Sequence, residues 1–225
     1  LLNLKKEVFM NEKRISEAVI FSGGPTPSAE ISSLVDKNSF VIAADSGLDS
    51  ALTLGFLPNV LIGDLDSVSA RGLSWAKNNN IEIITFPRGK DKSDLELAMD
   101  YAFLNCESLL LIDSGLGRVD QLVGLFALLG SENISTIPCR AIVSNSFITV
   151  VKGRIEIQKR GNGLVSIFAH GGEATGVSTS GFRWELDDAT LKPNSTLGLS
   201  NELIKEIGLV STSSGTLLVI QPDIF

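Results

Sequence analysis

The chain has 225 residues, 44% of them hydrophobic and 20% charged, which is enough for one large or two small globular domains. Its net charge of −7 argues against a nucleic-acid-binding surface, because such a surface needs clustered Lys and Arg side chains. No apolar run approaches the ~18 residues of a membrane span, and residues 1–14 lack the apolar core of a signal peptide. Two cysteines and one histidine cannot form a disulfide framework or a zinc cluster, so we expect a cytoplasmic protein.

Five short apolar runs in the first half of the chain predict β-strands. They are residues 18–22, 40–44, 60–62, 81–86 and 109–113. Helical patterns occupy the intervening segments, for example residues 68–78, and an apolar helix at residues 122–129 follows the fifth strand. Strands that alternate with helices predict a parallel sheet with helices on both faces. In such sheets ligands bind beyond the carboxyl ends of the strands.

Two aspartates, Asp64 and Asp66, follow the third predicted strand directly. If the backbone stays extended there, both carboxylates point to the same side. Their repulsion is tolerated most readily around a cation, and Mg²⁺ fits best because carboxylates and substrate phosphates commonly hold it. The alternative is an ordinary turn with two solvated aspartates. Asp45 ends the second strand at the same edge of the sheet, and this shared position favours a site.

A charged segment follows the fourth strand. Ser93 and Glu96 have the spacing of a helix capping box, so Asp94 could simply favour the N-terminus of the helix. Asp94 could equally add a metal ligand, and Lys90 could supply a cation for a phosphate group. Both interpretations stay open at this point.

Glycine-rich loops follow the first and fifth strands. In the second of these loops, Gly115, Gly117 and Arg118 come directly before the apolar helix. Backbone N–H groups at a helix start and a guanidinium group suit phosphate recognition. The loop Ser22–Pro25 could also approach a phosphate, but neither of the two common glycine-rich nucleotide-binding motifs is present.

From residue 146 onward the pattern changes to short alternating segments separated by Gly, Asn, Asp and Pro, which predicts a small antiparallel β-sandwich. We therefore predict an α/β + all-β fold with two domains. Residues 1–145 form a mostly parallel sheet with flanking helices, and residues 146–225 form the C-terminal β-sandwich. A lone aromatic side chain such as Trp184 would ordinarily belong to the core of that sandwich.

Seven short stretches, in the right order, resemble the thiamin pyrophosphokinase (thiamine diphosphokinase) family. They are Ser22–Pro25, Ala43–Gly47, Gly63–Ser67, Lys90–Asp94, Gly117–Gln121, Ser178–Trp184 and Leu199–Glu202. The resemblance implies an enzyme that transfers diphosphate from ATP to thiamine with Mg²⁺, giving thiamine diphosphate and AMP. It also implies a homodimer with sites between the subunits. Residues 1–145 would bind ATP and Mg²⁺, and residues 146–225 would bind thiamine and dimerise.

The same resemblance assigns roles to individual residues. The carboxylates Asp45, Asp64, Asp66 and Asp94 would be catalytic, and the last three would hold the metal ion. Lys90, Arg118, Asp120 and Gln121 would bind ATP together with Asp45. Ser178, Trp184, Ser200 and Asn201 would bind thiamine.

Two points about the chemistry stay open. Either Asp45 or Asp94 could accept the proton of the thiamine hydroxyl. Gln121 stands where many bacterial members of the family have histidine, which argues against a titrating base at that position. Two other functions also remain: a different metal-dependent nucleotidyl- or phosphotransferase, and a non-enzymatic sensor of a nucleotide or thiamine. Thiamine binding would exclude the first, and AMP release with thiamine present would exclude the second.

Overall fold

The structure is a computed structural model that describes residues 14–131 and 137–225. The expectation that residues 1–14 hold no signal peptide therefore concerns a segment that, apart from Arg14, lies outside these ranges. No helix within the described ranges is long and apolar enough to cross a membrane.

Six parallel strands form the first half of the sheet. They are β1 (Ala18–Phe21), β2 (Phe40–Ala44), β3 (Val60–Gly63), β4 (Glu82–Thr85), β5 (Leu109–Asp113) and β6 (Cys139–Val143), in the spatial order β4-β3-β2-β1-β5-β6. All five neighbouring pairs run parallel. Five of the strands match the apolar runs in the sequence, and β6 was not predicted. Every residue of β1 and β3 is buried, because helices cover both faces of the sheet.

Four α-helices connect these strands. They are α1 (Gly47–Thr53), α2 (Ala70–Asn78), α3 (Asp94–Asn105) and α4 (Val119–Leu129), and a short 3₁₀ helix spans Ala29–Ser33. The expected cap of α3 is present, since Ser93 Oγ accepts a hydrogen bond from the Glu96 N–H at 3.2 Å. Helix α2 begins two residues later than predicted and α4 three residues earlier. Helix α1, which directly follows Asp45 and Ser46, was not predicted.

Antiparallel strands continue the sheet in the second half. They are β7 (Ser146–Val151), β8 (Arg154–Gln158), β9 (Leu164–Ser180), β10 (Ala189–Leu191), β11 (Asn201–Glu202), β12 (Ile207–Ser211) and β13 (Ser214–Gln221). Strand β9 has 17 residues and pairs with four other strands, so it wraps around a second apolar core. Parallel strands followed by antiparallel strands confirm the predicted fold class.

The boundary between the two predicted domains stays a prediction. Strand β6 pairs with β7 in an antiparallel register, Val143 opposite Ser146, so the sheet runs through this region without a break. The predicted site residues of the first half nevertheless lie together, at the carboxyl edge of the parallel strands.

Candidate active site

A cavity of about 720 Å³ opens at the carboxyl edge of the parallel strands. The loop Ser22–Pro25 after β1 and the N-terminal ends of α3 and α4 line it. Six of the twelve residues predicted from the sequence also line this cavity: Asp45, Asp66, Lys90, Asp94, Arg118 and Gln121. The topology of the sheet thus brings together residues that are up to 76 positions apart in the chain.

Three carboxylates converge beside this cavity. Asp45, Asp64 and Asp66 each offer one oxygen atom, and these three oxygens lie within 4.8 Å of one another. The condition of an extended backbone between Asp64 and Asp66 is not met. Leu65 is left-handed, with φ of 65°, and the Asp66 N–H donates a hydrogen bond to Asp64 Oδ1 at 3.2 Å. A tight turn, in which the Asp64 side chain accepts from the backbone two residues on, therefore positions the pair.

Asp45 is the most buried member of this group, with 7% of its surface exposed. Its backbone is left-handed, with φ of 47°. Within the described ranges its buried Oδ1 has no hydrogen-bond partner. Burial raises the pKa of this carboxyl group, and repulsion by Asp94, Asp64 and Asp66 adds to the rise, against a hydrogen bond from the backbone of Ser46. A buried anionic oxygen without a partner is the kind of donor that a hard cation satisfies.

Asp94 approaches the cluster but forms a different contact. Its Oδ1 lies 2.9 Å from Lys90 Nζ, in an ion pair without hydrogen-bond alignment, and Lys90 Nζ also donates to Asp64 Oδ2 at 3.1 Å. Gly63 makes this approach possible, since a Cβ atom there would lie 3.1 Å from the Asp94 carboxylate. Asp94 is not one of the three carboxylates that converge, and its role as a metal ligand stays a prediction.

Lys90 sets the local electrostatics. The hydrogen bond from Lys90 holds the pKa of Asp64 below its usual value, although burial acts in the opposite direction. Burial lowers the pKa of Lys90, but its contacts with Asp94 and Asp64 outweigh burial and raise that pKa overall. Lys90 therefore stays protonated at neutral pH.

The predicted phosphate-binding residues lie at the start of α4. Arg118 is the N-cap residue of this helix, and its guanidinium group contacts both Asp120 oxygens, Nε to Oδ1 at 3.0 Å and Nη2 to Oδ2 at 2.5 Å. Both side chains are exposed. Gln121 lines the cavity, whereas Asp120 is outside its lining and holds Arg118. The exposed carboxylate of Asp120 thus holds the guanidinium group of Arg118, the side chain most suited to a phosphate, at the mouth of the cavity.

Ser22 and Asp113 support the loop between β5 and α4, and neither was among the predicted site residues. Ser22 Oγ donates a hydrogen bond to Asp113 Oδ2 at 2.5 Å, and Asp113 Oδ1 accepts one from the Gly115 N–H at 2.7 Å. Both side chains line the cavity. The signal for Asp113 was present in the sequence, because this aspartate ends the fifth apolar run just as Asp45 follows the second.

Within the described ranges, none of the four predicted thiamine residues lines the cavity. Trp184 is 60% exposed, so the ordinary expectation of a core position for a lone Trp is wrong. Asn201 is buried and accepts from the Trp184 N–H at 3.2 Å while donating to the Trp184 carbonyl at 2.7 Å. Ser178 Oγ accepts from the Asp188 N–H, and the Ser200 N–H donates to Ser166 Oγ.

Comparison with known proteins gives the same family for both halves of the chain. Residues 31–139 match the model of the thiamin pyrophosphokinase catalytic domain, and residues 152–217 match that of the thiamin pyrophosphokinase vitamin B1 binding domain. A thiamine pyrophosphokinase from Bacillus subtilis is 27% identical over 207 residues, which cover 90% of this chain and 96% of that protein.

Solved structures agree with this result. The crystal structure of the Bacillus subtilis thiamine pyrophosphokinase has a TM-score of 0.80 at 25% identity, and the match covers 93% of this chain and all of that one. The thiamin pyrophosphokinase from Geobacillus thermodenitrificans has a TM-score of 0.77 at 25% identity over 92% and 97% of the two chains.

The fold and the site define a class of protein in which a parallel α/β half carries an acidic cavity and an antiparallel half completes the sheet. Within that class, the two matched models cover both halves of the chain, the catalytic domain first and the vitamin B1 binding domain second. The chain belongs to the thiamin pyrophosphokinase family.

Proposed function

We propose that this protein is a thiamine diphosphokinase that transfers diphosphate from ATP to thiamine and releases AMP. The observation that carries the proposal is the convergence of Asp45, Asp64 and Asp66 beside a cavity with Arg118 at its mouth, in a chain whose two halves match the two domains of one family. Carboxylates on one side and a guanidinium group on the other are the groups that a metal-bound polyphosphate requires.

The residues present fit a magnesium ion. Three aspartate oxygens within 4.8 Å of one another are hard donors, and Asp45 Oδ1 is buried without a partner in the described part of the chain. When bound, the ion would neutralise the phosphate charge that builds up during transfer. Asp45, Asp64 and Asp66 are the best-placed ligands, and Asp94 stands next to them as the further predicted ligand.

In this reaction the hydroxyl oxygen of thiamine forms a bond to the β-phosphorus of ATP. The bond from that phosphorus to the oxygen shared with the α-phosphate breaks, and the electron pair leaves with AMP. Such transfers depend mainly on positioning and on charge stabilisation. Arg118 and the backbone N–H groups at the start of α4 would orient the phosphates. Either Asp45 or Asp94 would accept the hydroxyl proton.

The test is an assay of the purified protein with ATP, Mg²⁺ and thiamine, in which thiamine diphosphate is detected by fluorescence and AMP is quantified separately. We expect the two products in equal amounts and none without thiamine. Asp66→Asn keeps the side-chain volume and should lower turnover by about 100-fold or more while the protein remains folded. Absence of thiamine diphosphate, or AMP release that does not depend on thiamine, would refute the proposed function.

The second part of the proposal is that the enzyme is a homodimer in which Trp184 acts on the partner subunit's cavity. Two observations support this arrangement. In the described ranges, no predicted thiamine residue lines the cavity of the same chain, and the Trp184 side chain is exposed. Leu199 and Ile204 lie within three residues of Asn201, which holds the Trp184 backbone, and are exposed as well. An aromatic face would suit cationic thiamine, with about 1–2 kcal/mol when desolvated.

Mixed dimers test this arrangement. Asp66→Asn alone and Trp184→Ala alone should each be nearly inactive. In a heterodimer of the two variants, one site combines an intact Asp66 from one chain with an intact Trp184 from the other. Subunit exchange should therefore restore up to about one working site per heterodimer. If exchange is demonstrated with both variants folded and no activity returns, Trp184 does not act across the interface.

A cytoplasmic location is the third part of the proposal. Both cysteines of the chain, Cys106 and Cys139, are free and buried. Free thiols are what a reducing compartment maintains. Fractionation of cells that produce the untagged protein would test this directly.

A further inference from the structure

Lys90 forms ion pairs with Asp64 and Asp94, two carboxylates that are proposed or predicted to hold the metal ion. Its ammonium group lies 3.1 Å from Asp64 Oδ2 and 2.9 Å from Asp94 Oδ1. The Lys90 side chain is only 13% exposed, so solvent screens these contacts little. Asp64 belongs to the three converging carboxylates, whereas Asp94 holds Lys90 from the other side. The contact is therefore an internal ion pair formed by Asp64, one of the proposed metal ligands.

The balance of charges makes this contact significant. Four carboxylates, those of Asp45, Asp64, Asp66 and Asp94, face two cationic side chains. One of these is Lys90, and the other is Arg88, whose Nε lies 3.5 Å from Asp66 Oδ2 in an exposed pair. Two negative charges remain, which equals the charge of one divalent ion. Lys90 thus lowers the negative potential of the site while leaving Asp45 Oδ1 without a partner.

Lys90 also faces the space that a polyphosphate would fill, because it lines the same cavity as Arg118. An ammonium group on a flexible four-carbon stem can rotate between acceptors at little cost in geometry. Phosphate oxygens are strong acceptors of charge-assisted hydrogen bonds. The same side chain can therefore pair with Asp64 in one state and with a phosphate in another.

We propose that Lys90 makes binding of the divalent ion depend on the nucleotide: without nucleotide its ammonium group neutralises Asp64 and weakens ion binding, and an entering polyphosphate draws it away and releases Asp64. This inference rests on the proposed function, in that it takes a nucleoside triphosphate to be the ligand of the cavity. By linkage, the ion must then strengthen nucleotide binding by the same factor as the nucleotide strengthens ion binding.

The first experiment measures Mn²⁺ binding to the nucleotide-free protein from the paramagnetic resonance signal of free Mn²⁺. We compare the wild type with Lys90→Met and with Lys92→Met. Lys92 is a matched control, because the substitution removes the same charge two residues away. Its ammonium group is engaged elsewhere, 3.0 Å from Glu96 Oε1 and 2.6 Å from Asp100 Oδ2.

We expect Lys90→Met to bind Mn²⁺ about tenfold more tightly than the wild type, since a unit charge about 5 Å from a divalent ion opposes it by that factor even at the dielectric constant of water. Lys92→Met should change the affinity by less than about threefold. Equal affinity of wild type and Lys90→Met would overturn the proposal. Weaker binding in Lys90→Met would also overturn it, because Lys90 would then only support the geometry of the site.

The second experiment measures the coupling. ATP affinity is determined by equilibrium dialysis in a chelator and again at saturating Mn²⁺, without thiamine so that no transfer occurs. The gain in affinity on adding Mn²⁺ should be larger for the wild type than for Lys90→Met, and an equal gain would overturn the proposal. If Lys90→Met folds poorly, Lys90→Gln removes the same charge, keeps a polar side chain and serves in both experiments.

These outcomes are separate from those of the proposed function. A wild-type protein that makes thiamine diphosphate but shows no dependence of Mn²⁺ affinity on Lys90 would refute the coupling alone. A protein that makes no thiamine diphosphate yet binds Mn²⁺ more tightly after Lys90→Met would refute the proposed function alone.

Discussion

Replacing Asp45 by asparagine should make the metal-free protein more stable and nearly inactive. Asp45 is buried, left-handed and without a partner for Oδ1 in the described part of the chain. Asparagine has the same shape and tolerates the left-handed region at least as well. It can still accept the hydrogen bond from the backbone of Ser46 that Asp45 accepts. The substitution therefore removes a charge and little else.

The gain in stability follows from the distances within the cluster. The oxygens of Asp45, Asp64 and Asp66 lie within 4.8 Å of one another. Two unit charges at that distance repel by about 0.9 kcal/mol at the dielectric constant of water and about 3.5 kcal/mol at an effective value of 20. Lys90 offsets part of this repulsion, so we expect the free energy of unfolding to rise by about 1–2 kcal/mol. For a chain of this size that corresponds to an increase in Tm of about 2–8 °C.

The assay is thermal unfolding in a chelator and again with excess Mg²⁺. Magnesium should raise the Tm of the wild type more than that of Asp45→Asn, and turnover of the variant should fall by about 100-fold or more. Asp49→Asn is a matched control, because Asp49 accepts from Ser69 N at 2.8 Å and from Ser69 Oγ at 2.5 Å. That control should lower the Tm by weakening these hydrogen bonds and leave the magnesium effect intact.

Either of two results would contradict the role assigned to Asp45. A lower Tm of Asp45→Asn in the chelator would mean that the charged form of Asp45 is stabilised in the folded protein, contrary to its environment. Unchanged turnover would remove Asp45 from the reaction. A lower Tm together with normal turnover would contradict both parts of the argument.

Three further predictions concern Arg118, two helical glycines and the thiols. Arg118→Lys should cost about tenfold or more in kcat/KM for ATP, because an ammonium group cannot reproduce a bidentate contact; equal activity would make Arg118 an ordinary surface charge. Gly47→Ala should destabilise by about 1–3 kcal/mol in urea unfolding, since its Cβ would clash with the carbonyl oxygen that ends β1, whereas Gly124→Ala, with no atom within 4 Å, should stabilise α4 by up to about 1 kcal/mol. Similar unfolding midpoints for the two variants would contradict this. Burial raises the pKa of Cys106 to about 11 and of Cys139 to about 12, so both stay protonated as pH rises to 9 and should react with a thiol reagent at pH 8 only after unfolding; rapid labelling of the folded protein would show that a thiol is accessible.

The sequence predicts the parallel half of the sheet well because most of its strands are buried on both faces; the edge strand β4 is the exception. A strand of this kind is a continuous apolar run, and a change to Gly, Pro or Asp marks its end. The positions of Asp45, Asp64 and Asp66 follow from those ends. Strand β6 escaped prediction although its five residues, Cys139–Val143, are mostly buried, since Arg140 interrupts the apolar pattern.

Strand β9 could not be predicted as one element. Its 17 residues, Leu164–Ser180, contain Gly171, Gly172 and Gly176, which on sequence grounds separate strands. In the structure two of these glycines have positive φ values, 71° for Gly171 and 65° for Gly176, and the strand continues through both. The bends let one strand pair with four others, and which strands pair across a bend depends on tertiary contacts that the local sequence does not encode.

The geometry of the turn formed by Asp64, Leu65 and Asp66 could not be predicted from the sequence either. A left-handed conformation leaves a sequence signal when the residue is Gly or Asn, but Leu65 is neither. The expectation that Asp64 and Asp66 face one side agrees with the convergence of their oxygens, but the reason given for it, an extended backbone, was wrong. Asn201 illustrates a related limit, because matching motifs cannot distinguish a residue that contacts a ligand from one that holds the Trp184 backbone.

The cluster combines two kinds of unfavourable free energy, left-handed non-glycine residues at Asp45 and Leu65 and carboxylates held close together. Each left-handed residue of this kind costs about 1–3 kcal/mol and persists only where its surroundings enforce it. Here the surroundings are rigid, because β2 and β3 are almost fully buried and the Asp45 N–H donates to the Ile62 carbonyl at 2.9 Å. The stability of the buried strands therefore offsets the strain at their ends, and relief of that strain should stabilise the protein at the expense of its proposed activity.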